Sequence, residues 1–506
     1  MENIQDREKK LLPCPIGLKG FCCDNCLMGP CRVMNEKMRG VCGAKREVIV
    51  ARNILRFVAG GTAAHAGHAH HFLSYLNESY PKNYIKNKAP NYLYKLWKKL
   101  NIIPEAEMEH FKDISEALHT STMGVNADYK DLLVWSMKLG VLDGYYGLYL
   151  ATELENKIYG KPKPKTAELN LGVIKKDKVN IAIHGHEPML AEILVKEVKK
   201  KENIDINLIG VCCTGASVLQ RHGIPLAANF VLQEDVISTG AIEVMVVDVQ
   251  CIMPSVGDLC ECYHTKLITT NDLCKIPNAM HLPVNDKRAA EKVAKQIIKL
   301  ARENRKKRRE ISLSKEKKKV VVGFSPETIP MKKIIQGIKN KKIKGIIGVV
   351  GCDNPRVKED WSALFKKLSK DHIILATGCI AFKLGQAGLL DGKRVFHMGS
   401  CVNNARIAET FKQIADRMKK EITDLPFLVS CPMPTSEKSV AIGFFFASIG
   451  VDVHFGYPFM FKGDKKVEDF LGNVLKKEFK SKIFLEEKIE DFENRLKNEG
   501  LSISKK

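Results

Sequence analysis

VNIAIHGHEPMLAEILVKEVKKKENIDINLIGVCCTG, residues 179–215, is the stretch that decides the architecture. It opens on a short β-rich run, VNIAIHGH. It then passes through EPMLAEILVKEVKK, whose apolar residues recur at helical intervals, and closes on a second β-rich run, INLIGVCCTG. Strand, helix and strand at this spacing make a parallel βαβ crossover. Toward the C-terminus VMVVDVQC (residues 244–251) and HTKLITTN (264–271) continue the pattern. It breaks over a basic run at residues 302–319. It resumes with KKVVVGF, KGIIGVVGC, HIILATGC, RVFHMGSC and LPFLVSC.

Toward the N-terminus the texture is different. EVIVARNILRFVAGGTAAHAGHAHHFLSYL and YKDLLVWSMKLGVLDGYYGLYLATEL carry apolar residues every three or four positions and read as helices. The first 45 residues are rich in Cys, Gly and Pro, with little periodicity. The expected fold is therefore multidomain, α plus α/β. A cysteine-rich cluster-binding segment (1–45) and a helical domain (46–165) precede two Rossmann-like α/β domains (166–319 and 320–506).

The α/β sequence carries a positional regularity. His186, Cys213, Cys251, Cys352, Cys379 and Cys401 each stand at or just after the C-terminal end of a predicted strand. Open α/β sheets put their ligand sites on the loops beyond those ends, and two such domains facing each other would bring all six to one cleft. Neither a dinucleotide fingerprint nor a phosphate-binding P-loop is present.

The chain has 506 residues, of which 45% are hydrophobic and 27% charged, as in ordinary globular proteins. No apolar run is long enough to span a bilayer. The charged start, MENIQDREKKLLPC, lacks a signal core, so a cytoplasmic location is expected. In that compartment 16 cysteines argue for metal ligation rather than disulfides. The net charge of +23 is read as solvated helix faces and linkers, in the basic run and in a Lys-rich tail after Lys462. No nucleic-acid motif accompanies it.

Cys23, Cys26, Cys31 and Cys42 run C-x2-C-x4-C-x10-C, a spacing that lets one short segment wrap an iron–sulfur cube, with zinc as the alternative. Cys14 and Cys22 are left over, because Cys22 adjoins Cys23 and cannot serve the same corner. Two thiolates are half of a four-thiolate site, which a two-fold axis would complete, as [4Fe–4S] or as [2Fe–2S].

A series of segments now carries a family resemblance: CPIGLKGFCCDNCLMGPCR, AGGTAAHAGH, HTSTMGVNAD, VNIAIHGHEP, GVCCTG, DVQCIMPS, ECYHTKLITT, GVVGCDNP, TGCIAF, FHMGSCVNNAR and SEKSVAIG. In this order they resemble the catalytic subunit of anaerobic nickel-iron carbon monoxide dehydrogenase. The resemblance implies reversible oxidation of CO with water to CO2 at a nickel-, iron- and sulfide-containing cluster. By motif, His186 and Cys213 match the ligands of an iron outside the cubane. Cys251, Cys352 and Cys379 match those of three cubane irons, and Cys401 matches the nickel ligand. Cys23, Cys26, Cys31 and Cys42 match a relay [4Fe–4S] cluster, and Cys14 and Cys22 a cluster shared across a homodimer. Lys438 matches a lysine beside the cluster, against the plain alternative of a helix-start surface lysine. His65 matches a proton-transferring histidine. His68 and His71 follow it at helical spacing and extend a proton path, whereas His70 breaks the spacing.

The resemblance also implies a ferredoxin-like electron carrier and a nickel-insertion protein as partners. The chain departs from the family in a tighter Cys31–Cys42 loop, a shorter Cys379–Cys401 stretch and a reduced His186–Cys213 region. Asp143 is a candidate for the family's cluster-proximal aspartate but stays off the site list. Cys212, Cys260, Cys262, Cys274, Cys431 and His184 are read as packing or supporting residues, although Cys260 and Cys262 look ligand-like and would point the same way on an extended strand. The rival readings are a hybrid-cluster, hydroxylamine-reductase-like protein, a homologue with a repurposed cluster, and a zinc-bearing structural protein.

Overall fold

A computed structural model describes residues 2–104, 110–458 and 460–498. The end of the Lys-rich tail, residues 499–506, lies outside the described residues.

The helical part is built on α1 (Arg46–Leu76) and α2 (Tyr129–Leu142). The Ala-rich sequence of α1 favours a long helix, and it stops where Asn77 turns left-handed at φ 53° and donates its N–H to the carbonyls of Leu73 and Ser74. Asp128 caps α2 by accepting from the Lys130 N–H. At its C-terminal end α2 runs directly into a π-helical turn, Asp143–Tyr149, and then into the helix Leu150–Tyr159. That wider turn re-aims the following side chains and was not legible from the 3.6-residue pattern.

The α/β part is a single sheet of fourteen strands among the described residues. In chain order they are β1 (Lys165–Leu169), β2 (Val179–Gly185), β3 (Ile206–Val211), β4 (Leu226–Ala228), β5 (Ile242–Val247), β6 (Lys266–Thr269) and β7 (Met280–His281). The second half supplies β8 (Lys318–Val322), β9 (Gly345–Val349), β10 (His372–Thr377), β11 (Val395–Gly399), β12 (Phe427–Cys431), β13 (Asp452–Phe455) and β14 (Ile483–Leu485). The spatial order is β14-β13-β12-β9-β10-β11-β8-β1-β4-β3-β2-β5-β6-β7. Within each half neighbouring strands are parallel, and the seam is the antiparallel pair β1–β8. The two α/β units expected to face each other as separate sheets are thus joined edge to edge.

Three helices position the site: α3 (Cys212–His222), α4 (Gly378–Gln386) and α5 (Glu437–Ser448). Every residue of α5 from Lys438 to Ser448 is buried, because it packs between α1, α2 and the second half of the sheet. Glycines permit that approach. A β-carbon at Gly140 would come within 2.7 Å of the Phe444 backbone, and one at Gly147 within 2.7 Å of His65 Cβ. Aromatic rings, among them Phe444, Phe445, Phe446 and Phe411, fill the shared core, each worth roughly 1.5–3 kcal/mol on burial.

Two expectations need correction. Cys260 and Cys262 lie on the helix Ser255–Cys262 rather than on a strand, so Cys260 is buried and Cys262 exposed. The basic run is not wholly solvated. Arg308 is buried against Glu243 at 2.6 Å and donates to the carbonyls of Lys178 and Ala241, pinning the chain back onto the first half of the sheet.

Candidate metal centre

His186, Cys213, Cys251, Cys352, Cys379 and Cys401 line one cavity of about 340 Å3, together with Lys438. His186 follows β2, Cys213 opens α3 after β3, and Cys251 lies beyond β5. Cys352 lies beyond β9, Cys379 opens α4 after β10, and Cys401 follows β11. Both halves of the sheet contribute, three donors each. The ligand atoms of His186, Cys213 and Cys401 lie within 4.8 Å of one another. The Cys401 N–H approaches Cys213 Sγ at 3.4 Å, and Cys251 Sγ is 3.8 Å from His186 Nε2.

The loops are held by groups that the sequence reading did not single out. Asp248, at the end of β5, accepts the His186 N–H at 2.6 Å and the Glu187 N–H at 3.1 Å on one oxygen, and the Thr214 hydroxyl at 2.6 Å on the other. One carboxylate thereby ties the His186, Cys213 and Cys251 loops. Burial pushes its carboxyl up to about 7. Gly185, with φ 127°, is required because any β-carbon there would collide with that carboxylate. Cys212, Gln250 and Cys251 hold left-handed φ values of 54°, 68° and 56° without being glycines, and such strain concentrates at functional sites. Cys212 contacts the thiol of Cys379, and Cys431 lies near Cys352 and beside Ser439, both outside the cavity lining.

A second clamp joins the helical part to the ligand loops. Glu155, fully buried, accepts from Arg221 of α3 at 2.9 Å, from Ser217 at 2.5 Å and from Asn403 at 2.8 Å. Burial opposes its ionisation, but Arg221 and then Arg406 outweigh it and hold the carboxyl near 2. Ser217 is one turn beyond Cys213, and Asn403 is two residues beyond Cys401.

Lys438 is 5% exposed near the start of α5, so the surface-lysine alternative does not hold. Its Nζ lies 2.9 Å from His186 Nε2, donates to Gln250 Oε1 at 3.0 Å and lies 3.2 Å from Cys251 Sγ. Burial works against its charge, yet Cys251, Cys401 and Cys213, as thiolates, hold its pKa above the ordinary lysine value. Gln250 in turn donates to the Ala64 carbonyl at 3.1 Å, joining this wall to α1.

His65 is buried, and its Nδ1 lies 2.7 Å from Asp143 Oδ1. Asp143 opens the π-helical turn, is fully buried, and burial raises its pKa. Ala64, rather than His65, forms the cavity wall on this side. His68 is buried, and burial lowers it to about 4. His71 is partly exposed and bonded to Glu187, which raises it. His70 faces elsewhere, stacked on Tyr80. His184 points to the opposite side of β2, onto Gln233 at 2.9 Å.

At the N-terminus, Cys31 Sγ and Cys42 Sγ each lie 3.8 Å from a β-carbon built at Gly40, and the Val41 N–H approaches Cys31 Sγ at 3.5 Å. Cys23 is buried under α1, Cys26 half-buried and Cys42 exposed. Cys14, exposed, accepts the Gly17 N–H at 3.5 Å, and Cys22 is half-buried.

The residues fit an iron–sulfur cluster bearing further metals. Five thiols and one imidazole are soft or borderline donors, they share one cavity, and His186 Nδ1 is buried without a protein partner.

The sequence profile of the Prismane/CO dehydrogenase family matches residues 21–87 and 75–490. The chain belongs to that family. Carbon monoxide dehydrogenase 1 of Methanosarcina acetivorans is 35% identical over 89% of this chain and 86% of its own. Carbon monoxide dehydrogenase IV of Carboxydothermus hydrogenoformans superposes with a TM-score of 0.93 at 34% identity, covering 99% of this chain and 95% of that one. A nickel-free carbon monoxide dehydrogenase from Thermococcus sp. AM4, produced without the CooC maturase, gives 0.91 at 32% identity over 99% and 94%. These similarities make the chain an enzyme of the carbon monoxide dehydrogenase type, and the hybrid-cluster reading is not favoured. No helix among the described residues is long and apolar enough to cross a membrane.

Proposed function

We propose that the cavity holds a nickel–iron–sulfur cluster at which the chain interconverts CO plus water with CO2, two protons and two electrons. The observation that carries this is the convergence of all six donors and Lys438 on one cavity. His186, Cys213, Cys251, Cys352, Cys379 and Cys401 would hold the cluster, with His186 and Cys213 as ligands of one iron, Cys251, Cys352 and Cys379 as ligands of further irons, and Cys401 as the nickel ligand. When bound, the cluster supplies an electron-rich nickel for the carbon and a Lewis-acidic iron for the water.

The chain's own groups do the rest. Lys438, kept cationic by the cysteine thiolates around it once they hold metal, stabilises negative charge that develops on a substrate oxygen. Gln250 fixes the ammonium's direction. Asp143 orients the His65 ring through Nδ1, leaving Nε2 to give or take a proton. His68 is neutral at physiological pH and passes protons without storing charge. His71, with Glu187, delivers them to the half-exposed rim.

Two electrons leave per CO. Cys23, Cys26, Cys31 and Cys42 bind one [4Fe–4S] cluster per chain. Cys14 and Cys22 bind half of a second cluster, [4Fe–4S] or [2Fe–2S], which a homodimer shares. In domain terms, residues 1–45 export electrons, 46–165 carry the proton path, and 166–319 and 320–506 each supply half of the cluster site. A ferredoxin-like carrier in the cytoplasm accepts the electrons, its acidic surface suited to the basic excess. A nickel-insertion protein supplies the metal, in keeping with the nickel-free Thermococcus relative made without its maturase. The test is CO-dependent reduction of a low-potential dye by anaerobically purified protein. Activity that follows nickel content supports the assignment, and nickel-replete protein no faster with CO than without rejects it.

A further inference from the structure

Helix α1 carries a buried arginine that the reading above leaves unused. Arg52 is 3% exposed. Its Nη2 donates to the Asn126 carbonyl at 2.7 Å, its buried Nε has no partner, and no carboxylate among the described residues pairs with it. Guanidinium does not deprotonate in proteins, so a buried one calls for an anion close by.

Its neighbours identify that anion. Ile49, one helical turn earlier, packs in a small apolar cluster with Cys23 and Val33, with Cys31 against it. Arg52 also lines, with Cys42, a cavity of about 600 Å3. Lys45, Lys130 and Lys466 share that rim, but Lys466 is exposed and bonded to Glu47. Arg52 alone of these cations is buried, where solvent screens least.

We propose that Arg52 is the counter-charge of the iron–sulfur cluster held by Cys23, Cys26, Cys31 and Cys42, and that it raises that cluster's reduction potential. This rests on the relay-cluster assignment. Four thiolates leave such a cluster anionic, and adding an electron increases its negative charge. A fixed cation therefore favours the reduced state over the oxidised one. The relay is thereby tuned to take electrons from the catalytic site.

The test is redox titration of the holoenzyme followed by EPR, with iron and sulfide analysis. The relay signal is the one that Cys26→Ser removes; if Cys26→Ser removes neither signal nor iron, the relay assignment itself fails. With the assignment sound, Arg52→Gln at full iron content is expected to leave the relay roughly tenfold less reduced at a fixed potential, a negative shift of about 59 mV. Arg52→Lys should stay near wild type. An unmoved potential in Arg52→Gln, or an equal shift in Arg52→Lys, overturns the proposal. Should Arg52→Gln lose the cluster, Arg52→Lys decides: retention supports the charge requirement, and loss in both variants overturns it.

Discussion

Lys438→Ala removes one charge from the wall of the cavity. Nζ is buried, and its contacts are His186, Gln250 and Cys251, with no carboxylate among the described residues to neutralise it. Its field therefore falls on the reacting atoms. At a separation of about 4 Å and an effective dielectric of about 20, one unit charge acting on another is worth about 4 kcal/mol. Loss of a single preorganised donor elsewhere costs about 2.7–4 kcal/mol, on the order of 100- to 1,000-fold in turnover. The expected result is a fall of that size in kcat at unchanged nickel and iron. The assay is CO-dependent dye reduction normalised to metal content. Lys438→Met, which keeps the bulk of the stem, controls for packing and should be as slow as Lys438→Ala. Normal turnover in a metal-replete Lys438→Ala, or slow Ala with normal Met, refutes the electrostatic argument.

Other outcomes follow from the same geometry. Cys401→Ala should lose nickel and activity while iron at Cys23, Cys26, Cys31 and Cys42 is retained, and unchanged nickel by elemental analysis contradicts the ligand assignment. Cys14→Ser/Cys22→Ser should lose one cluster per dimer by iron counting. Loss of one whole four-iron cluster per chain means the site is not shared, and unchanged iron means it is not a site. Glu155→Gln leaves Arg221 and Arg406 buried without their anion and should destabilise the fold by about 3–5 kcal/mol in denaturant unfolding; a midpoint equal to wild type rejects the clamp. Burial pushes the Cys251 thiol up to about 12, and thiol contacts with burial raise Cys379 and Cys401 further above the ordinary value. These ligands are protonated in metal-free protein at pH 7, so loading must release protons and apparent metal affinity must rise with pH. A nickel titration in weak buffer that releases no acid contradicts this.

The convergence of His186, Cys213, Cys251, Cys352, Cys379 and Cys401 on one cavity was legible because strand ends are. An apolar β-rich run that stops at a histidine or cysteine marks both the element and the position of the side chain, and six such runs point to one site. What the sequence hid depends on contacts between distant segments. Asp143 lies within an apolar helical pattern, and its meeting with His65 depends on a π-helical turn that 3.6-residue periodicity conceals. Asp143 itself was a candidate from its VLDGYYG segment, but its pairing with His65 was not, and the pair Gly144 and Gly147, where the π turn packs against Phe445 and His65, was the further trace. Asp248 and Gln250 stand in the same DVQC motif as Cys251, and a polar group at a strand end next to a ligand was the signal to follow. The Glu155 clamp joins three segments far apart in sequence, which no local pattern reports. Cys260 and Cys262 misled because a short alternating window reads equally as strand or helix. The antiparallel seam between β1 and β8 falls at the two domain boundaries expected from the sequence, because a change in texture does not distinguish a linker from a strand that crosses between units.

Anomalous diffraction at the nickel and iron edges, on crystals of nickel-loaded anaerobic protein, tests the central claim most directly. A nickel peak in the 340 Å3 cavity at Cys401, with iron peaks at Cys251, Cys352 and Cys379 and one more between His186 and Cys213, is the predicted result. A cavity holding zinc alone, or iron without nickel in protein that oxidises CO, would contradict the account.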